Sequence, residues 1–306
     1  MIKHNSAFIV GTTASGKTKL AVQLAYELNA EIISADSRQV YRGLDIGTGK
    51  DLNEYTFQGK KIPHHLIDVA EVTDNFNLNA FLNCFVKSFE EIISKGKIPI
   101  VCGGTGLYFD AILKKHQFTS VPVNESLRKE LEKQTDEELQ IANYKLQITK
   151  FLTADTRKRI IRAIEIEAFL QSNKMEEIHF PEINPMIIGI ELSIDERRKK
   201  ISERLKIRLE NGLIDEVKHI LDIGIPPKRL INLGLEYNFV TRYIQNELSY
   251  EEMFSQLEIA IFQFAKRQMT WFRKMEREGN KIHWVKDFEE AKNFIQKKRD
   301  STEALF

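Results

Sequence analysis

The stretch Gly11-Thr-Thr-Ala-Ser-Gly-Lys-Thr18 decides the fold, because it matches the phosphate-loop pattern G-x-x-x-x-G-K-[ST] at every fixed position. An apolar run at residues 7–10 precedes it and predicts a buried strand, and residues 19–28 follow with leucines at helical spacing. In this setting, backbone N–H groups and the positive end of the helix converge on a bound anion. The alternative, a chance glycine-rich turn before a helix, does not account for the flanking strand.

The eight loop residues have distinct expected roles around a phosphate group. Gly11 and Gly16 permit the close turn. Lys17 reaches the outer phosphate oxygens as a point charge, and the Thr18 hydroxyl binds a magnesium ion that bridges the same phosphates. We therefore predict a diphosphate or nucleotide site formed by Gly11, Thr12, Thr13, Ala14, Ser15, Gly16, Lys17 and Thr18.

The composition is that of a soluble globular protein with one large domain or two smaller ones: 306 residues, of which 42% are hydrophobic and 29% charged. The net charge of +1 means that a nucleic-acid partner must be bound by local basic patches and not by an overall positive field. Cys84 and Cys102 show no paired spacing, no leader precedes the first strand, and no apolar run approaches membrane-spanning length. These features predict a cytoplasmic protein with free thiols and no membrane contact.

Two acidic residues stand at the ends of predicted strands. Residues 31–35 predict a strand that ends at Asp36, and residues 64–68 predict a short strand that ends at Asp68. Because ligands bind beyond the carboxyl ends of parallel strands, Asp36 is expected to face the same crevice as the phosphate loop. A capping or turn role for Asp36 is the alternative. Asp68 is its main rival as the acidic group near magnesium.

Two further glycine-rich stretches leave their roles open. Residues 43–50 predict either a mobile lid or a plain surface loop. Residues 98–102 predict a third strand, and a Gly-Gly-Thr-Gly turn at 103–106 leads from it into a helix. The glycines of this turn permit close approach of backbone and ligand. Thr105, between them, either positions a substrate group or caps the helix.

The sequence pattern changes between residues 116 and 185, where charged helical segments replace strands. We expect helices at residues 125–139 and 157–170. The change predicts an all-helical domain at 116–185, inserted into a core formed by residues 1–115 and 186–306.

Two basic clusters are candidates for contact with a nucleic-acid backbone. The first, in the predicted insert, comprises Arg157, Lys158, Arg159 and Arg162, and the second comprises Lys266 and Arg267, next to aromatic residues. A solvated helix face, or a helix packed on the core, explains either cluster without nucleic acid. The helix that carries the second cluster, at residues 251–277, is expected to bury Phe254, Leu257, Ile261, Phe264 and Ala265.

Seven motifs, spread over most of the chain, occur in the order typical of one family. Beside the phosphate loop they are Asp-Ser-Arg-Gln-Val-Tyr-Arg-Gly-Leu-Asp-Ile-Gly-Thr at 36–48, His-His-Leu-Ile-Asp at 64–68, Gly-Gly-Thr-Gly-Leu-Tyr at 103–108, Arg-Ile-Ile-Arg-Ala-Ile-Glu at 159–165, Gly-Leu-Ile-Asp-Glu-Val at 212–217 and Ala-Lys-Arg-Gln-Met-Thr-Trp-Phe-Arg at 265–273. This set resembles the tRNA dimethylallyltransferases, or tRNA isopentenyltransferases, of the compact bacterial type. The Asp-Ser-x-Gln-Val-Tyr stretch is the most diagnostic part. The resemblance implies an α/β fold: a P-loop NTPase-like core with a parallel sheet flanked by helices, plus an inserted all-helical domain.

The resemblance also implies a reaction. The family transfers a dimethylallyl group from dimethylallyl diphosphate to N6 of adenine 37, in the anticodon stem-loop of tRNAs that read codons beginning with U. Asp36 would then be the general base, Thr105 would align the reacting groups, and Arg204 would stabilise the leaving pyrophosphate together with Mg²⁺ at Thr18. A monomer is expected. The family's tRNA-contacting stretch corresponds to Asp36, Ser37, Arg38 and Gln39.

The chain departs from the family pattern at a few positions. Thr12 stands where proline is usual, and Arg208 stands where methionine is common. Gly234-Leu235-Glu236 replaces Gly-Tyr-Lys, and Ile261-Phe262 replaces a Thr-Arg pair. The last two departures fall in the half of the chain expected to bind tRNA.

Three other functions use part of the same features. A small phosphoryl-transfer kinase would bind ATP at the phosphate loop and an acceptor hydroxyl beside it. A prenyltransferase acting on free adenine nucleotides would differ only in its acceptor, so prenylation of AMP would identify it. In an RNA-binding switch gated by a nucleotide, Asp36 and Thr105 would be dispensable.

Overall fold

The computed structural model describes residues 4–146 and 155–300. Its central feature is a six-stranded sheet in which all neighbouring strands are parallel. The strands, in chain order, are β1 (Ser6–Val10), β2 (Glu31–Ser34), β3 (Thr56–Phe57), β4 (Lys60–Lys61), β5 (His64–His65), β6 (Pro99–Gly103), β7 (Pro185–Ile190) and β8 (Ile282–Val285). The sheet order is β5-β2-β6-β1-β7-β8, and β3 and β4 form a separate antiparallel hairpin.

Twelve α-helices lie within the described residues. They are α1 (Lys17–Leu28), α2 (Leu78–Ser94), α3 (Gly106–Leu113), α4 (Glu125–Leu131), α5 (Asp136–Tyr144), α6 (Arg157–Ser172), α7 (Ile194–Glu210), α8 (Leu213–Asp222), α9 (Pro227–Ile231), α10 (Leu235–Ile244), α11 (Tyr250–Arg277) and α12 (Phe288–Asp300). Helices α1 and α12 share one apolar core with the sheet. Helix α3 also packs on the sheet, because Phe109 of α3 contacts Phe8 of β1 with 5.6 Å between the ring centroids.

Strand β1 lies in the middle of the sheet, and all five of its residues are buried. This is expected of a parallel sheet, because helices cover both of its faces. Val10, at the carboxyl end of β1, is in register with Gly103 of β6, and Ser34 of β2 is in register with Cys102. The carboxyl ends of these three strands therefore lie side by side. The predicted α/β fold with a parallel sheet flanked by helices is confirmed.

The described residues form two compact units. Residues 4–114 and 180–300 make up the first, and residues 115–146 and 155–179 make up the second, which contains α4, α5 and α6. Inside the second unit, the buried carboxylate of Glu165 accepts hydrogen bonds from Arg128, Arg162 and the Asn124 N–H group. These bonds lower the pKa of Glu165 although burial alone would raise it. Across the described parts of both units, no helix combines the length and apolar character needed to cross a membrane.

The single helix predicted at residues 125–139 is wrong, because the structure contains α4 and α5 there. The break is produced by Thr135, whose hydroxyl accepts a hydrogen bond from the Glu138 N–H group at 3.2 Å. The Glu138 carboxylate in turn accepts from the Thr135 N–H group at 2.8 Å. This reciprocal capping box starts a new helix, and its Thr-x-x-Glu spacing is visible in the sequence.

Candidate active site

A cavity of about 330 Å³ opens where the strands β1, β2 and β6 end. The phosphate loop forms one wall, and Asp36 and Arg204 form part of the others. Residues from α7 and α11 complete it. The cavity lining includes Thr13, Lys17, Thr18, Asp36, Gln39, Thr48, Gly49, Asp51, Glu54, Tyr55, Cys102, Gly103, Lys200, Glu203, Arg204, Ile207, Phe264 and Gln268.

The phosphate loop has the curled backbone that an anion nest requires. Ala14 and Gly16 both adopt left-handed conformations, with φ of 59° and 87°. A Cβ atom on Gly11 would lie 2.7 Å from the Ser15 hydroxyl, so a larger residue there would displace the Ser15 side chain. Helix α1 begins at Lys17, so the last two residues of the loop lie in the first turn of the helix. Backbone N–H groups and the helix N-terminus therefore face the same cavity.

Two cations of this cavity lack an acidic partner. Lys17 Nζ donates to the backbone oxygen of Thr12 at 3.2 Å, and Arg204 donates to the Thr13 hydroxyl. Within the ranges that the structure describes, no carboxylate lies at ion-pair distance from either side chain. Burial lowers the pKa of both Lys17 and Arg204, and nearby Arg208 adds to the effect on each. A bound anion would give both buried cations the ion-pair partner that the described protein residues do not supply.

Asp36 lies two residues after the end of β2, and the turn after it fixes its carboxylate. Its Oδ1 atom accepts hydrogen bonds from the N–H groups of Arg38, at 2.8 Å, and Gln39, at 3.4 Å. No described residue donates to Oδ2, although Asp36 lines the cavity. Asp36 therefore both accepts the hydrogen bonds of the turn and lines the cavity. Asp68, the rival candidate, is paired with buried Lys50 and does not line the cavity.

Thr105 caps α3 by its backbone position but not by its side chain. Its hydroxyl accepts a hydrogen bond from the Ser37 N–H group at 3.3 Å. Thr105 thereby connects the end of β6 to the turn that holds Asp36. It does not itself line the cavity.

The glycines around Thr105 serve the packing of the chain against itself. A Cβ atom on Gly103 would lie 2.2 Å from the Ala35 carbonyl oxygen, and one on Gly106 would lie 2.5 Å from Trp271 Cβ. The expectation that these glycines make room for a ligand is therefore incomplete, because protein atoms already occupy that space.

Gln268 of α11 is a site residue that sequence reasoning missed. Its Oε1 atom accepts from the Thr13 N–H group at 2.8 Å, and its Nε2 atom donates to the Gly104 carbonyl oxygen at 3.0 Å. One buried amide thus holds the phosphate loop and the end of β6 together. The Ala-Lys-Arg-Gln motif was the available signal, but the pattern alone emphasised its two cations.

The glycine-rich loop at residues 43–50 is anchored and is not an open lid. The Glu216 carboxylate of α8 accepts from three consecutive N–H groups of the loop, at 2.6–3.0 Å. Buried Lys50 donates to the Tyr41 carbonyl oxygen and to the carboxylates of Asp45 and Asp68. These bonds hold Thr48 and Gly49 in the cavity wall.

The residues predicted to bind tRNA differ in whether their side chains already bind other groups of the protein. Gln39 is engaged, since its amide donates to the Gly49 carbonyl oxygen and accepts from the Ser34 hydroxyl, both at 3.0 Å. Arg157 donates to Asp136 and to backbone oxygens of residues 131, 132 and 134, and Arg159 pairs with Asp155. Exposed side chains without an acidic partner among the described residues are Lys158, Lys266 and Arg267.

Helix α11 also corrects one burial prediction. Met253, Leu257, Ile261 and Ala265 are buried, but Phe264 is 38% exposed. Phe264 lies at the cavity beside Ile207 of α7, which is 53% exposed. Two apolar side chains therefore flank the polar cavity.

Comparisons with known proteins agree with this architecture. The sequence profile of the family described as IPP transferase matches residues 39–275. The chain is 52% identical over 279 residues to tRNA dimethylallyltransferase 1 of Parabacteroides distasonis, with coverage of 90% of this chain and 91% of the relative. It is 49% identical over 295 residues to tRNA dimethylallyltransferase 2 of Bacteroides fragilis, with coverage of 95% and 96%.

Solved structures give the same result. A tRNA isopentenylpyrophosphate transferase from Bacillus halodurans matches with a TM-score of 0.70 and 32% identity over 97% of each chain. A eukaryotic dimethylallyltransferase acting on tRNA shares the fold, with a TM-score of 0.74, 20% identity, and coverage of 99% of this chain and 82% of that chain. The profile match and the half-identical relatives show that this chain belongs to the IPP transferase family, as a tRNA dimethylallyltransferase.

Proposed function

We propose that this enzyme transfers the dimethylallyl group of dimethylallyl diphosphate to N6 of adenine 37, in tRNAs that read codons beginning with U. The observation that carries the proposal is the cavity itself, where an anion nest with two cations lacking acidic partners lies beside a carboxylate with a free oxygen. The nest fits a diphosphate, and the carboxylate fits the proton that the attacking amine must lose.

The chain's own groups suit the departure of pyrophosphate from an allylic carbon. Negative charge grows on the diphosphate as the carbon–oxygen bond breaks, and donors that are already positioned stabilise that charge. The N–H groups of the phosphate loop, Lys17 and Arg204 supply such donors. The apolar pair Ile207 and Phe264 suits the hydrocarbon end of the substrate and limits access of water to a developing allyl cation.

Asp36 is the proposed general base. Its Oδ1 atom is held by two N–H groups, so the carboxylate keeps one orientation, and Oδ2 is available for the proton from N6. Thr105 contributes through Ser37, whose N–H group it binds. Adenine must leave its stack to reach Asp36, as in other base-modifying enzymes.

The residues present fit a magnesium ion shared with the diphosphate. Within the described part of the chain no cluster of three or more acidic, histidine or cysteine side chains forms a metal site by itself. Mg²⁺ commonly binds through few protein oxygens together with substrate phosphates, and Thr18, which lines the cavity, would supply one such oxygen. When bound, the ion would neutralise charge on the phosphates.

The proposed tRNA contacts extend beyond the cavity. Arg38 and Gln39 lie next to Asp36 in sequence, and Lys266 and Arg267 are exposed on α11, which also supplies Gln268 to the cavity. In the second unit, Lys158 and Arg159 are the exposed candidates for phosphate contact. The side chain of Arg157 has four acceptors within its own unit, and we propose that it organises this unit for tRNA binding.

The test is a transfer assay with radiolabelled dimethylallyl diphosphate and magnesium, with either unmodified tRNA bearing adenines at 36 to 38 or AMP as acceptor. We expect label in N6-dimethylallyladenosine at position 37 of the tRNA and none in AMP. Label in AMP alone would identify a nucleotide prenyltransferase. If neither acceptor is labelled, ATP consumption in a parallel reaction supplied with ATP would instead identify a kinase.

Asp36→Asn tests the base in the same assay. The amide keeps an acceptor for the turn but cannot take a proton, so turnover should fall by about 10²- to 10⁴-fold while tRNA binding is retained. Asp74→Asn is the matched control, because Asp74 also accepts a backbone N–H bond in a turn but lies outside the cavity. Turnover of Asp36→Asn near the wild-type rate would reject the assignment.

A further inference from the structure

Tyr55 places a hydroxyl group in the cavity for which the mechanism above has no use. Tyr55 ends a short 3₁₀ turn, Leu52–Tyr55, and is only 4% exposed. It nevertheless lines the cavity together with Lys17 and Gly103. The residue therefore stands between the apolar core and the phosphate site.

The ring of Tyr55 is held in place from two directions. It packs against the His64 ring with 4.4 Å between centroids, and the Tyr55 carbonyl oxygen accepts from the Ile62 N–H group at 2.7 Å. It also belongs to the apolar core that contains Cys102 and Leu20. A side chain fixed in this way cannot turn its hydroxyl away from the cavity at low cost.

The Tyr55 hydroxyl has no hydrogen-bond partner within residues 4–146 and 155–300. Among the described residues it is not one of the buried side-chain atoms that lack a partner, so the hydroxyl is open to the cavity and is not sealed in the core. A ligand in the cavity can therefore reach the hydroxyl and accept its hydrogen bond in place of water. The hydroxyl therefore resembles the other donors of the cavity, Lys17 and Arg204, in lacking a full set of protein acceptors.

We propose that the Tyr55 hydroxyl donates a hydrogen bond to the diphosphate oxygen that gains charge during transfer; this inference rests on the proposed function. In that step the bond between the allylic carbon and the diphosphate oxygen breaks, and its electron pair stays on the oxygen. The lone pair of N6 forms the new carbon–nitrogen bond, and the N6 proton goes to Asp36. Tyr55 keeps its own proton throughout.

The surroundings of Tyr55 favour a donor that stays protonated. Burial, reinforced by the nearby Cys102 thiol and the carboxylates of Glu54 and Asp36, raises the pKa of Tyr55 above its usual value. A neutral hydroxyl adds no charge to a cavity whose lining already holds charged groups of both signs. Its hydrogen bond to an anion should nevertheless be stronger than one to a neutral acceptor.

The test compares Tyr55→Phe with Tyr26→Phe. The first change removes only the hydroxyl and keeps the ring against His64. Tyr26 is the matched control, since its ring packs on Phe57 at 5.3 Å near the same turn but outside the cavity. The measurements are kcat, KM for dimethylallyl diphosphate, the inhibition constant of pyrophosphate, and the dissociation constant of tRNA.

For Tyr55→Phe we expect a fall in kcat of about 10- to 100-fold, the usual effect of one hydrogen bond to a charged group. Pyrophosphate, which carries the fully developed charge, should inhibit with a constant raised about tenfold. The KM for dimethylallyl diphosphate and the tRNA affinity should each change less than about threefold. Tyr26→Phe should leave all four quantities unchanged.

Two results would overturn the inference: wild-type kcat with wild-type inhibition by pyrophosphate, or a loss of kcat without weaker pyrophosphate binding. Stabilisation of each variant against heating by added pyrophosphate gives an independent measure of binding that needs no turnover. If the wild-type enzyme transfers no label to tRNA, the proposed function is wrong. In that case the pyrophosphate affinities alone test whether Tyr55 binds the diphosphate. Equal affinities for Tyr55→Phe and wild type would reject that role.

Discussion

At the scale of single residues, Gln268 offers the sharpest test of how the site is assembled. Its amide accepts from the phosphate loop and donates to the end of β6. Gln268→Ala should leave the Thr13 N–H group and the Gly104 carbonyl unpaired, at a cost of about 1–3 kcal/mol in the free energy of unfolding. Because Thr13 shifts, turnover should fall at least about tenfold. Urea unfolding and kcat measure the two effects.

The matched control is Gln263→Ala, at an exposed position on the same helix. It should change the free energy of unfolding by less than about 0.5 kcal/mol. Gln268→Glu adds a second comparison, because a carboxylate can accept from Thr13 but cannot donate to Gly104. Wild-type stability and turnover in Gln268→Ala would show that the two contacts do not hold the site.

Residues could be predicted from the sequence where a motif fixes both their chemistry and their position. Lys17 lies near the end of the loop that follows β1, and Asp36 lies two residues after β2, so the parallel sheet brings them to one edge. Gln268 and Tyr55 reach the same cavity from a distant helix and from a short turn. Their approach depends on how α11 and the 3₁₀ turn pack, and spacing along the chain carries no signal for that packing.

At the scale of elements, the buried carboxylate of Glu31 forms ion pairs with side chains from three other parts of the first unit. It starts β2, and its carboxylate lies 2.8 Å from His65 Nε2 in β5 and 2.8 Å from Lys97 Nζ before β6. Lys95, after α2, lies at 3.3 Å. Burial alone would raise the pKa of Glu31, but hydrogen bonds from Lys97, His65 and Lys95 lower it to about 2.

This arrangement predicts a pH-dependent stability. In the unfolded chain Glu31 takes up a proton near its ordinary pKa of 4.5, whereas in the folded protein it stays ionised down to about 2. The ionised Glu31 therefore contributes about 3 kcal/mol to the free energy of unfolding above pH 4.5, and this contribution is lost as the pH falls towards 2. Urea unfolding of wild type and Glu31→Gln should differ by this amount at pH 6, and by about half of it at pH 3.

Glu27→Gln is the control for this experiment. Glu27 forms an exposed pair with Lys292 at 3.7 Å, which should contribute less than about 1 kcal/mol at either pH. A difference between wild type and Glu31→Gln that stays constant from pH 6 to pH 3 would contradict the prediction.

Helix boundaries were predictable where apolar periodicity is strong, as in α11. The break at Thr135 was missed because residues on both sides have helical composition, and the cap decides between them. Phe264 follows the apolar stripe of α11 but lies at the cavity, where no element covers it. Periodicity identifies a face of a helix, and the tertiary packing determines how much of that face is covered.

At the scale of the whole molecule, the net charge of +1 makes tRNA binding depend on local patches. Each phosphate neutralised by a lysine or arginine releases counterions, so affinity falls with salt in proportion to the number of contacts. Lys266 and Arg267 are exposed on the helix that also supplies Gln268 to the cavity. A tRNA whose adenine enters the cavity would pass close to both.

The double variant Lys266→Ala/Arg267→Ala should therefore weaken tRNA binding and make its salt dependence shallower. Loss of two phosphate contacts should reduce the slope of log affinity against log salt by about 2. The KM for dimethylallyl diphosphate should stay unchanged, because neither side chain lines the cavity. The control Lys281→Ala/Lys297→Ala removes the same charge from exposed positions, with Lys281 at the start of β8 and so at the opposite edge of the sheet. Equal slopes for the two double variants would show that the effect is one of net charge, and would place the tRNA backbone elsewhere.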